Sequence, residues 1–210
     1  MLAIVVNSQK GGSGKTTITV NLAAEAERAG HGPVWMVDMD PQGTLTRCHE
    51  ARSAAVPLRA DVLPEGLEAT LAGIKSRGAA HVFIDTAPTR DESIEAIVRC
   101  ADLVLVPVRP GSADLWAVGE TVAMLKEQGR RFLFVVNQAK SNARIVTQTA
   151  AALSHFGPIA ETMLGDRVAY AAAFSGGRVV AELPDSKAAA EEVRNLWTDV
   201  RKMLKLRKEA

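Results

Sequence analysis

Lys10-Gly11-Gly12-Ser13-Gly14-Lys15-Thr16-Thr17 decides how the rest of the chain is read. An apolar run, Leu2 to Val6, precedes it and reads as a buried strand. A segment of helical periodicity, Ile18 to Ala29, follows it and stops at Gly30. Strand, glycine-rich turn and helix start together form the setting of a phosphate-binding loop. Glycine tolerates backbone angles that a Cβ resists, so successive N–H groups can close around an anion. The helix start adds unpaired N–H groups and the positive end of a dipole. In such a loop Lys15 reaches the β- and γ-phosphates of a nucleotide, and the Thr16 hydroxyl holds Mg²⁺. One departure stands out. The ordinary pattern G-x-x-x-x-G-K-[ST] places glycine where this chain has Gln9, and a second lysine, Lys10, stands directly before Gly11.

Working outward, 210 residues suit one domain with a sizeable core, taken here as residues 1–210. Hydrophobic content is 47% and mean hydropathy +0.04, which argues for a globular chain rather than a disordered one. No apolar run approaches the roughly 20 residues that span a bilayer, and no basic leader precedes the first strand, so a cytoplasmic protein is expected. Cys48 and Cys100 form no ligand motif, and His31, His49, His81 and His155 are scattered singly, the pattern of packing or surface residues rather than metal ligands. Net charge is only +1, so global charge announces no nucleic-acid partner.

Two further stretches carry chemistry. Val34-Trp35-Met36-Val37 is a short apolar run that ends in Asp38-Met39-Asp40-Pro41-Gln42. Carboxylates at the carboxyl end of a strand sit where open α/β sheets bind ligands, and residues i and i+2 point the same way. The competing reading is a capped turn, since Asp-Pro commonly opens one. Val82-Phe83-Ile84-Asp85 delivers a single carboxylate from a buried strand, the Walker B requirement for a hard anion near Mg²⁺. Leu103 to Val108 and Phe132 to Val136 read as further strands, the second ending in Asn137. Helices are expected over Gly43 to Arg52 with Thr44 as cap, Glu65 to Arg77, Asp91 to Cys100, Asp114 to Gln128, Ile145 to Phe156, Arg167 to Phe174, and Ser186 to Leu206 with Ser186 as cap. Pro158 to Met163 reads as a short strand, and Ala51 to Pro64 has little pattern. Strands alternating with helices imply an α/β fold: a doubly wound, mostly parallel sheet with helices on both faces.

The spelling K-G-G-x-G-K-T-T resembles the deviant Walker A loop of the ParA/MinD ATPases. Asp-x-Asp-Pro-Gln and Asp85-Thr86-Ala87-Pro88 resemble that family's next two motifs, and the likeness runs from Leu2 to about Leu206. Length and organisation resemble the short ParA (ParF-like) type. The resemblance implies nucleotide contacts from Lys10 through Thr17, with Lys10 reaching across a dimer interface to the partner's nucleotide. Asp40 then orients the attacking water, and Asp38 supports a Mg²⁺ site completed by Thr16 and Asp85. Asn137 contacts the adenine ring, or alternatively only caps a turn. The same resemblance implies an ATP-bound homodimer with slow hydrolysis that holds nonspecific DNA at the nucleoid. A ParB-like adaptor or centromere-binding partner would stimulate hydrolysis.

DNA contact needs Lys and Arg that face phosphates and leaves no base-reading motif. Candidates are Lys140, Arg144, Arg167, Arg178, Lys202 and Lys205. The first two fall in an acid-free segment, Gln128 to Ala160, and residues 167–210 hold nine basic against six acidic side chains. Another reading is a MinD-like membrane ATPase. Val193, Leu196, Trp197, Val200, Met203 and Leu204 form one stripe of the last helix beside a basic end that includes Arg207 and Lys208. The same stripe suits core packing, and no stable membrane association is expected. A ParA-like positioner of a non-DNA cargo is a third reading. A metabolic enzyme such as dethiobiotin synthetase, or a nitrogenase-type iron protein, fits less well, because no substrate motif or cluster-bridging cysteine spacing is present.

Overall fold

The computed structural model describes residues 1–63, 65–89, 92–140 and 144–205. Six strands form one sheet: β1 (Leu2–Val6), β2 (Val34–Met39), β3 (Leu58–Ala60), β4 (His81–Thr86), β5 (Leu103–Val108) and β6 (Phe132–Val136). Their spatial order is β3-β2-β4-β1-β5-β6, and every pairing is parallel. The strands are apolar on both faces because both faces are covered. Ile4, Val6, Met36, Phe83, Leu105 and Val135 pack on one side, against α1 (Lys15–Arg28), α2 (Thr44–Glu50), α7 (Val168–Ser175) and α8 (Lys187–Lys205). Val5, Val37, Ile84, Val106 and Phe134 pack on the other, against α3 (Leu67–Ser76), α4 (Glu92–Arg99), α5 (Ser112–Glu127) and α6 (Arg144–Ser154). The sheet is thus doubly wound, and β1 sits between β4 and β5.

The apolar stripe of α8 is core. Val193, Leu196, Trp197, Val200 and Leu204 are buried and Met203 is partly so. Trp197 is 2% exposed, lies against the rings of His31, His81 and Phe83, and donates its indole N–H to His31 Nδ1 at 3.0 Å. Burial holds both histidines below the usual imidazole range, so they serve packing in their neutral form.

Several expectations need correction. Leu58–Ala60 is an edge strand inside the stretch that showed no pattern. Pro158 to Met163 is not a strand: Ile159 makes one bridge to Phe134, and the proline has no N–H to extend the ladder. Gly43, at φ 61, occupies the N-cap of α2, so Thr44 is its first residue and not its cap. Ser186 precedes α8, yet its hydroxyl donates backwards to the Val180 and Leu183 carbonyls instead of capping. α5 begins at Ser112, earlier than Asp114. Asp91 and the end from Leu206 through Arg207 and Lys208 lie outside the described residues.

Candidate functional site

The site lies along the carboxyl edge of the sheet, and strand order sets its layout. β2 brings Asp38 and Asp40, β4 brings Asp85, β1 brings the loop, β5 brings Arg109, and β6 brings Asn137. Carboxylates therefore stand on one side of the loop and nitrogen donors on the other.

Gly12 and Gly14 take φ 71 and φ 93, angles that favour glycine. At Gly14 a Cβ would also fall 2.1 Å from Asn137 Nδ2, so a side chain is doubly excluded. Asn137, 6% exposed, donates from Nδ2 to the Ser13 carbonyl at 2.7 Å, and Gln138 Nε2 donates to the Gly12 carbonyl at 3.0 Å. These two amides are struts that turn loop carbonyls outward, which leaves the loop N–H groups for an anion. Lys15 Nζ is buried and donates to the Ser8 and Lys10 carbonyls at 3.2 and 3.4 Å. Burial lowers its pKa, while Asp85 and Asp40 pull it back up. The Lys10 side chain makes no hydrogen bond or ion pair among the described residues.

Asp85 is fully buried and pairs in register with Asp38 on one side and Val6 on the other. Thr16 Oγ1 donates to Asp85 Oδ2 at 2.5 Å. Thr19 Oγ1 donates to the Lys15 carbonyl at 2.9 Å and stands 3.5 Å from Asp85 Oδ1. Burial pushes the Asp85 carboxyl up to about 7; Asp38 and Asp40 add to the rise, and Thr16 and Lys15 oppose it. Asp38 is tied to α2, its Oδ2 accepting from the Thr46 N–H and hydroxyl at 2.8 and 2.9 Å and its Oδ1 from the Asp40 N–H at 3.1 Å. Asp40 Oδ1 caps its own turn by accepting from Gln42 N at 2.9 Å. The turn reading thus holds at Oδ1, and Asp40 Oδ2 makes no hydrogen bond among the described residues.

The donor set fits Mg²⁺ by its chemistry. Thr16 and Asp85 offer hard oxygens at the mouth of a phosphate loop, and a buried carboxyl raised to about 7 gains from a nearby cation. No group of three or more His, Cys, Asp or Glu that could cage a metal occurs among the described residues.

Beside the loop lies a cavity of about 390 Å³ lined by Gly14, Thr17, Asn137, Asp166, Arg167, Tyr170 and Phe174. Its floor is fixed by Glu192, which accepts from Arg167 Nε and Nη2 at 2.9 and 2.7 Å, Tyr170 Oη at 3.1 Å and Gly165 N at 3.1 Å. A larger cavity of about 430 Å³ opens between α4 and α5, but Glu92, Glu95, Glu120 and Glu127 line it, and carboxylates repel a triphosphate. The cavity by Asn137 carries no such row of carboxylates, and Asp166 is the acidic residue in its lining.

Comparison with known proteins bears on the family and the fold. Residues 4–193 match the family described as the CobQ/CobB/MinD/ParA nucleotide binding domain. The chain belongs to that family. Members of the ParA/MinD group are P-loop ATPases, and nucleotide binding follows for this chain. It is 28% identical over 208 residues to maintenance of carboxysome distribution protein A of Halothiobacillus neapolitanus, covering 94% of this chain and 95% of that one. It is 30% identical over 189 residues to protein ParA of Rhizobium radiobacter, covering 84% of each. The fold matches a plasmid partition protein of Borrelia burgdorferi bound to AMPPNP, with TM-score 0.76 and 15% identity over 96% of this chain and 98% of that one.

Within this ParA/MinD fold the six basic candidates belong to several different elements and turns. Lys140 and Arg144 follow β6 at the carboxyl edge of the sheet, and Arg167 lines the cavity beside Asn137, held by Glu192. Lys202 pairs with Glu161 at 3.2 Å, and Lys205 acts on His31, at the opposite edge of the sheet. Arg178 is exposed after α7. Sequence reading missed Thr46, Arg109, Gln138 and Tyr170. Each acts through a partner remote in sequence or a turn away, so no local motif marks it.

Proposed function

We propose that this chain is a ParA-type switch ATPase. It closes as a homodimer around two ATP molecules and hydrolyses them slowly. It holds nonspecific DNA while ATP is bound, and a ParB-like adaptor or centromere-binding protein speeds its hydrolysis. The observation that carries this reading is Lys10. It sits directly before a loop already served by Lys15, and its ammonium engages no group of its own chain among the described residues. A second copy bringing its nucleotide to that ammonium would couple dimerisation to nucleotide state. Thr16 and Asp85 would hold Mg²⁺, which supplies charge neutralisation at the terminal phosphates. Asp40, with one oxygen anchored in its turn, would orient the attacking water, and Asp38, tied to α2 through Thr46, would support the metal site. Such a cycle has a physical basis, because a γ-phosphate can order loops that relax after cleavage.

Cargo is a separate question. The Halothiobacillus relative is named for carboxysome distribution, which favours keeping a protein cargo beside DNA as a reading. Membrane positioning has less support, because most of the α8 stripe is buried. The test is binding to random-sequence duplex DNA and to anionic liposomes with ATP, ADP or neither, at two salt concentrations. The expected result is ATP-dependent, salt-sensitive DNA binding without liposome binding. ATP-dependent liposome binding without DNA binding would overturn the DNA assignment.

A further inference from the structure

β5 ends beside β1, and the first residue past it, Arg109, is built into its place. Its backbone N–H donates to Asp114 Oδ2 at 3.0 Å, Nε to the same oxygen at 3.1 Å, and Nη2 to Oδ1 at 3.0 Å. Asp114 is buried, so one edge of the guanidinium is clamped by a carboxylate that cannot turn away. The remaining nitrogen, Nη1, has no acceptor among the described residues. It stands at the loop: a Cβ on Gly12 would lie 3.4 Å from it. Gln138 holds the Gly12 carbonyl by a separate hydrogen bond, so Arg109 is not needed to satisfy that residue. A fork anchored on one edge and presented on the other suits arginine to bind phosphate, and a lysine could not be held this way.

We propose that Arg109 is a third cation of the nucleotide site. Its Nη1 edge binds the terminal phosphate of an ATP held by its own loop or, in the ATP-bound dimer, by the loop of a second copy. The ligand chemistry is the same in both cases. The proposal rests on the ATPase reading above, and it adds a residue that neither the loop motif nor the acidic turn contains.

The test is calorimetric titration of wild type, Arg109→Ala and Arg109→Lys with Mg·AMPPNP and Mg·ADP, with the dimer dissociation constant in AMPPNP measured alongside. If the phosphate is its own, Arg109→Ala weakens AMPPNP about tenfold or more, the worth of one charge-assisted hydrogen bond, and changes ADP less than about twofold. If it belongs to the second copy, monomer affinity holds and the dimer constant rises about tenfold or more. Arg109→Lys keeps the charge without the clamp and recovers part of the loss. Equal losses for AMPPNP and ADP, with a lowered thermal midpoint, would mean that Arg109 only braces the loop, and the proposal would be wrong. An unchanged AMPPNP-to-ADP ratio together with an unchanged dimer constant would also overturn it. If wild type binds no ATP, the ATPase reading fails first and takes this one with it.

Discussion

Asp85 makes the protein's stability depend on pH in a direction that can be worked out. An unfolded aspartate loses its proton near pH ~4. Folded Asp85, buried beneath Thr16, keeps its proton up to about 7. Between those values the folded state binds more protons, so raising the pH destabilises the protein without nucleotide. His31, His49 and His81, held below their usual range, act with the opposite sign at the acidic end. The difference between wild type and Asp85→Asn isolates the aspartate. Across pH 5 to 8 the thermal midpoint of wild type is expected to fall relative to Asp85→Asn, and parallel curves would contradict this. Nucleotide chemistry separates two other residues. Lys15→Ala should lose ATP binding, read by calorimetry, because it removes the buried ammonium that is held against the Ser8 and Lys10 carbonyls of the loop. Asp40→Ala should bind ATP and hydrolyse little, since the oxygen proposed to orient water is lost together with the one that accepts from Gln42 N. Normal turnover by that variant would remove Asp40 from its role.

At the level of elements, the strands and most helices were legible because burial on both faces leaves unbroken apolar runs, as in Leu103 to Val108. β3 was not, being three half-buried residues at a sheet edge with neither alternation nor an apolar run. The loop of Lys10 to Thr17 could be read because its conformation is local. The struts from Asn137 and Gln138 could not, because the contacts cross more than a hundred residues. The same holds for the join between α2 and the turn after α7. There the buried Arg52 side chain donates to Glu182 at 2.6 Å and to the Gly177 carbonyl at 3.2 Å. Gly177 has φ 63, and a Cβ on it would fall 2.4 Å from the Ala51 carbonyl carbon. Gly177→Ala should therefore cost about 2 kcal/mol or more, from backbone strain and overpacking together. Trp197→Ala should cost about 3–5 kcal/mol as a core truncation. Denaturant midpoints check both, and a surface-like change at either would refute the packing described.

For the whole molecule, strand order does most of the functional work. It sets acids from β2 and β4 on one flank of the loop and amides and a guanidinium from β5 and β6 on the other. Lys10 is left at the mouth, which gives the chain half of an interface on the proposed reading. That a loop of this kind lay at the centre of the chain could be read from eight residues. Which basic residues would meet DNA could not, since exposed charge has no periodicity and the six candidates fall on several different elements and turns. The central claim is that ATP assembles the dimer through Lys10. Light-scattering mass of wild type and Lys10→Ala, each with Mg·ADP and with Mg·AMPPNP, tests it most directly. Wild type should double from its monomer mass of 22.4 kDa with AMPPNP alone, while Lys10→Ala binds the nucleotide and stays monomeric. A wild type that ignores AMPPNP, or a Lys10→Ala variant that dimerises as fully as wild type, would contradict the account.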